Sequence, residues 1–162
     1  SAEEINEVNV SSTKIRNSII DGNIDKANEF LGKPFQVQGK VVKGKKLGRE
    51  IGYPTINLNL NNEYKIMPLD GVYAVQVSVG SNQYFGMMNI GVNPTIADET
   101  NEQKKYEVHL FDFDQDIYGE NVIVLFRKFV RKEKTFDNLD ELKLQIQADE
   151  NNIRQYFNSN WD

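Results

Sequence analysis

The sequence contains no cysteine and only one histidine in 162 residues. The first absence excludes structural disulfides, thiolate nucleophiles, iron–sulfur ligation and zinc sites built on sulfur; the second leaves too few imidazoles for most other zinc centres. No apolar run approaches the roughly 18–20 residues that cross a bilayer, and Ser1-Ala2-Glu3-Glu4 lacks the basic-then-apolar order of a secretory leader. These features predict a cytoplasmic chain with no membrane partner. Positive charge is also scarce: 19 Lys and Arg against 24 Asp and Glu leave a formal charge of −5. That balance argues against a surface that tracks duplex nucleic acid along its length. The length suffices for one domain, burying roughly two-thirds of its unfolded surface in a single core.

The basic residues that exist are unevenly spread. Lys40, Lys43, Lys45, Lys46 and Arg49 fall within ten positions, with no carboxylate before Glu50. Such a stretch is either a solvated lysine-rich turn or a cradle for a small polyanion.

Hydrophobic periodicity divides the chain in three. Ser11 and Ser12 can cap a helix carrying Ile15 and Ile19 and stopped by Gly22; a second short helix carries Ile24, Ala27, Phe30 and Leu31 and closes at Gly32. From Phe35 the period changes to two. Strands are expected over 35–41, 55–60, 75–79, 84–90, 106–111 and 121–130, each bounded by Gly, Pro, Asn or Asp clusters. Strands that follow one another without intervening helices predict a mainly β fold, an antiparallel sheet closed into a barrel, because parallel strands need longer crossovers. A last helix, with Asp137 as N-cap and Leu139, Leu142, Ile146, Ile153 and Tyr156 as its stripe, is expected to pack on the barrel.

Several chemistries fail on residue type. His109 has no Gly-x-Ser-x-Gly elbow to serve, and Asp112, Asp114 and Asp116 imitate a calcium loop whose glycine position is Ile117 and whose twelfth position is Ile123. The loop from Gly44 through Gly48 to Gly52 fits neither the Walker spacing nor the dinucleotide fingerprint, and it precedes a strand. After it comes Pro54-Thr55-Ile56-Asn57, which puts a hydroxyl and a carboxamide on one strand face with Ile56 on the other. Two neutral oxygens hold a free divalent cation poorly, but they suit Mg²⁺ delivered on polyphosphate oxygens. Beside Lys45, Lys46 and Arg49 this reads as a nucleoside triphosphate cradle, or else as the polar face of an edge strand. In Tyr106-Glu107-Val108-His109-Leu110 the apolar residues can face the core. That frees Glu107 as a general base or as an ordinary solvated glutamate, with His109 a hydrogen-bonded structural residue.

Six segments, in order, resemble riboflavin kinase. They are Gly44 to Asn57, Gly71-Val72-Tyr73, Gly91-Val92-Asn93-Pro94-Thr95, Glu107-Val108-His109-Leu110, Asp116-Ile117-Tyr118-Gly119, and Arg131 to Phe136. Val10-Ser11-Ser12-Thr13-Lys14-Ile15-Arg16 resembles the end of the adenylyltransferase half of bifunctional bacterial FAD synthetases. The resemblance implies residues 1–17 as tail and linker of that half and 18–162 as the kinase domain, a split barrel with Greek-key connections.

It further implies phosphorylation of the riboflavin 5′-hydroxyl by ATP, giving FMN and ADP. By position, Glu107 is the base, Thr55 and Asn57 hold Mg²⁺, and Gly44, Lys45, Gly48, Arg49, Gly52, Pro54, Thr55 and Asn57 contact ATP. Arg131 and Phe136 line the flavin side. Ile56 stands where bacterial relatives usually carry alanine, on the core-facing side. Adenylylation needs a His-x-x-His type motif that one histidine cannot supply, so that activity belongs to the other half, an expected partner domain of the same polypeptide. The rival readings are a flavin- or nucleotide-binding barrel without catalysis and, more distantly, a single-strand nucleic-acid barrel using the basic loop with Tyr53 and Tyr84.

Overall fold

A computed structural model of the chain describes residues 12–44, 47–60, 66–92 and 104–160. The helical lead-in forms where its periodicity predicts. α1 is helical over 12–20, with Ile19 buried. α2 (Ile24–Leu31) begins at Asn23, whose side-chain oxygen accepts the Lys26 N–H, and ends at Gly32. Of its apolar residues only Ile24 and Ala27 are buried.

The remaining elements are β1 (Phe35–Val42), one helical turn α3 (Leu47–Glu50), β2 (Ile56–Leu60), β3 (Gly71–Val79), β4 (Asn82–Val92), β5 (Lys104–Leu110), β6 (Asn121–Lys132) and α4 (Leu139–Asn160). Six antiparallel strands close into a barrel in the order β1-β2-β5-β4-β3-β6. β3, β4 and β5 form a meander and β6 returns beside β3, which is a Greek key. The mainly β barrel expected from the sequence is therefore the fold, and closure leaves no open edge among the described strands.

β3 starts at Gly71, four residues before the alternating window, for a physical reason. Nearly every residue of 71–79 is buried, so the period-two contrast that marks a half-solvated strand is absent. Consecutive residues enter different cores. Tyr73, Val75 and Val77 fill the barrel interior with Met88, Val108 and Phe126. Val72 and Ala74 face outward and pack with Met87 and Phe111 under Ile153 and Phe157 of α4.

The start of α4 differs from expectation. Asn138, not Asp137, is the cap: its side-chain oxygen accepts the Glu141 N–H at 2.9 Å, while the Glu141 carboxylate accepts the Asp137 N–H at 3.4 Å. Leu139 is 48% exposed, and the buried face consists of Asp149, Ile153 and Phe157.

A bulge in β6 explains how a carboxylate came to be buried there. Val72 pairs with Arg131 and Tyr73 with Phe129, so Val130 is the extra residue and the two consecutive residues Val130 and Arg131 both reach the α4 side. Arg131 Nε donates to the Asp149 carboxylate at 3.1 and 2.9 Å and its second nitrogen contacts the same group at 2.9 Å. Gln145 donates to it as well, at 3.0 Å.

Candidate active site

Strand register brings the polar residues of four separate segments into one row. Val42 pairs with Asn57, Asn57 with Glu107, Glu107 with Asn89, Asn89 with Val72, and Val72 with Arg131. Paired residues of antiparallel strands point to the same face, and Val72 fixes that face as the outer one. Glu107 thus stands between two carboxamides, Asn57 on β2 and Asn89 on β4, one strand spacing of about 4.8 Å to each side. Val108, next along β5, is fully buried inside the barrel.

Burial raises the Glu107 carboxyl above the ordinary glutamate range, and Lys105 opposes part of that rise. The raised value keeps the group basic enough to take a proton from an alcohol as the oxygen finds its new bond. His109, two residues on, has Nδ1 2.7 Å from the Pro54 carbonyl oxygen, so the ring donates there and ties β5 to the segment entering β2. It packs edge-on against Tyr53, whose hydroxyl donates to Glu150 of α4 at 2.9 Å. This is the structural role expected of His109.

Thr55 lies half-buried in the extended residues just before β2, and Asn57 is its second residue. Gly44 covers the Asn57 side chain so closely that a Cβ at position 44 would overlap the carboxamide. Only glycine leaves Asn57 its place. Beyond it, Leu47–Glu50 form the helical turn α3 rather than an irregular loop, and the Gly48 carbonyl accepts the Tyr53 N–H at 2.7 Å. Arg49 and Gly52 are exposed. Lys45 and Lys46 lie outside the described residues, as do Ser11 and Asn93-Pro94-Thr95. Lys43 sits over the Tyr118 ring at 5.2 Å.

The donor set suits one kind of divalent ion. Among the described residues no three His, Cys, Asp or Glu side chains gather as a metal site. A hydroxyl, a carboxamide set in a space that a Cβ would fill, and a single carboxylate across the strand pair fit a Mg²⁺ ion that brings phosphate oxygens with it.

At the other end of the row, Arg131 is bound to Asp149 and its guanidinium lies 5.8 Å from the Phe136 ring centre. Between Arg131 and Glu107 the sequence reading missed two residues, Asn89 and Glu133. The Glu133 carboxylate is set against Gly91, where a Cβ would collide with it, and is hydrogen-bonded to Asn89. The available signal was Asn89 itself, a carboxamide within the run Met87-Met88-Asn89-Ile90.

The family profile described as "Flavokinase: Riboflavin kinase" matches residues 31–157. This chain belongs to the riboflavin kinase family. It is 41% identical over 150 residues to the bifunctional riboflavin kinase/FMN adenylyltransferase of Bacillus subtilis, covering 93% of this chain and 47% of that protein. The Escherichia coli protein of the same description is 43% identical over 151 residues, with the same coverages of 93% and 47%. The chain thus spans about half the length of these curated relatives. A crystal structure described as a macrolide-efflux protein from Streptococcus pneumoniae superposes with a TM-score of 0.80 at 44% identity, over 88% of this chain and 46% of that one. Among the described residues of this riboflavin kinase family member, no helix is long and apolar enough to cross a membrane.

Proposed function

We propose that this chain transfers the γ-phosphoryl group of ATP to the ribityl 5′-hydroxyl of riboflavin, giving FMN and ADP, with Glu107 as the general base. The observation that carries the reading is the register of Asn57 and Glu107 on adjacent strands. It sets a phosphate-side carboxamide and a desolvated carboxylate one strand apart on the same face, in a chain of this family.

In the reaction the 5′-oxygen attacks the γ-phosphorus, the bond from that phosphorus to the β,γ-bridging oxygen breaks, and ADP leaves. Glu107 takes the hydroxyl proton as the new bond forms and passes it to solvent. Thr55 and Asn57 would hold Mg²⁺, which when bound neutralises charge on the phosphate oxygens. Arg49 and the backbone of Gly44, Gly48, Gly52 and Pro54 shield the polyphosphate, and Lys45 adds its charge to that stretch of sequence. Arg131 and Phe136 border the flavin. Because the alcohol is a weak acid, most of the acceleration comes from positioning and fixed charge.

Residues 1–17 are the junction to an adenylyltransferase half of the same polypeptide, as the length of the relatives suggests, and 18–162 are the kinase unit. ATP as co-substrate suits a cytoplasmic setting, and the net charge of −5 argues against a nucleic-acid partner. Incubating the chain with riboflavin, ATP and Mg²⁺ and separating the flavins tests the reading. FMN and ADP in equal amounts are expected; bound flavin with no ATP consumed would establish the non-catalytic barrel instead.

A further inference from the structure

The row Asn57–Glu107–Asn89–Val72–Arg131 has a direction. On the proposed reading the phosphoryl donor approaches Glu107 from the Asn57 and Gly44 flank. An alcohol aligned opposite its leaving group must then come from the other flank, which begins with Asn89. The hydroxyl-bearing chain behind the reacting alcohol therefore crosses Asn89, one strand spacing from the base, before the flat ring system reaches the Arg131 and Phe136 end.

Asn89 is built to read such a chain. A carboxylate only accepts hydrogen bonds, so the contact with Glu133 takes an N–H of the Asn89 amide and fixes which way that amide faces. The amide oxygen is left as an acceptor. Glu133 is itself held: its backbone neighbour Lys134 donates to it at 3.3 Å and Gly91 leaves the space that its carboxylate occupies. Two residues earlier, Arg131 is clamped on the nearly fully buried Asp149. The amide is thus oriented by Glu133, two residues beyond the anchored Arg131.

We infer that Asn89, oriented by Glu133, is the residue that selects acceptors carrying hydroxyls next to the reacting alcohol, so that this site discriminates a polyol chain from a plain alkyl alcohol. Asn89 is a specificity residue and Glu133 a positioning residue behind it. The inference rests on the kinase reading, and the two can fail separately.

The test compares riboflavin with a flavin whose side chain is 5-hydroxypentyl, which keeps the terminal hydroxyl and lacks the inner ones. Dissociation constants come from quenching of flavin fluorescence, and kcat/KM from the phosphorylated flavin formed. The wild-type chain is expected to favour riboflavin. Asn89→Ala should lower kcat/KM for riboflavin roughly 10–100-fold, mostly through KM, and leave the alkyl analogue within about twofold. Glu133→Ala should erode the same preference part-way. Asn89→Val, which suits a strand, serves should the alanine variant not fold. A preference for riboflavin that survives in Asn89→Ala, or an equal loss for both flavins, overturns the inference while leaving the kinase reading intact. A wild-type chain that phosphorylates neither flavin removes the kinase reading, and the dissociation constants then judge Asn89 alone.

Discussion

Asn57 and Glu107 are direct register partners on β2 and β5, which sets the carboxamide and the carboxylate on one face of the sheet, one strand spacing apart. The two come from segments fifty residues apart in sequence, so the pairing of two strands is what creates the site. Replacing Glu107 with Gln keeps the side-chain shape and removes the proposed base. Turnover should fall by about 10²–10⁴-fold, with riboflavin affinity within about threefold of wild type. Steady-state kinetics alongside fluorescence titration checks this; unchanged turnover would strip Glu107 of its role.

The same carboxylate carries a pH signature. Its pKa is raised by burial, and the proposed base is the ionised form, so the acid limb of kcat/KM should lie above the range of an ordinary glutamate. Stability moves the opposite way. The folded state holds this proton more tightly than the unfolded chain, so the contribution of Glu107 is most favourable below its unfolded pKa. It declines as pH rises through the folded one. Glu107→Gln should therefore raise Tm at about pH 8 and leave it nearly unchanged at about pH 4. Thermal melts at both values measure it, and a Tm that drops at high pH would contradict it.

Asp149 is 2% exposed and holds Arg131 through Nε and a terminal nitrogen. Removing one member of a buried pair leaves the other charge uncompensated, at a cost of about 3–5 kcal/mol. Asp149→Ala should lower Tm by on the order of 10 °C, since about 1 kcal/mol moves a domain of this size by roughly 2–4 °C. It should also loosen the segment that carries Glu133 and Phe136. Calorimetry together with riboflavin titration reads both effects; a melting point within 2 °C of wild type, about the effect of 1 kcal/mol or less, would show the pair to be dispensable.

The barrel was legible because most of its strands solvate one face and bury the other, so period-two alternation marked them. β3 escaped in part, being buried on both sides from Gly71 onward. Thr55, Asn57 and Glu107 were legible as residue types, a hydroxyl, an amide and a carboxylate on alternating strands. Their mutual placement was not, since register is a property of pairing and not of either strand alone. The β6 bulge is the sharpest case. Simple alternation from the inward Phe129 would turn Arg131 inward too, yet one extra residue sends it outward to Asp149. Asp149 in turn stood inside an apolar stripe where a carboxylate has no reason to be until its arginine is known. Asn89 and Glu133 required both the β4–β5 register and the path of the chain after β6.

Gly44 offers a test of the phosphate side that touches no charged group. Its Cα is packed on the Asn57 carboxamide, and a methyl group there has no room. Because Asn57 sits on a paired strand and Gly44 just beyond the end of β1, the loop rather than the strand should yield. Gly44→Ala should then lift the cover off Asn57, raising KM for Mg-ATP by about tenfold while the riboflavin dissociation constant stays put. Asn57→Ala should raise the Mg²⁺ requirement in the same direction, by losing a proposed ligand rather than a cover. The two changes meet at one side chain, so their effects should not add: the double variant should be little worse than Asn57→Ala alone. Titration of Mg-ATP across the four proteins completes the cycle, and strictly additive penalties would mean that Gly44 acts on the nucleotide by a route independent of Asn57.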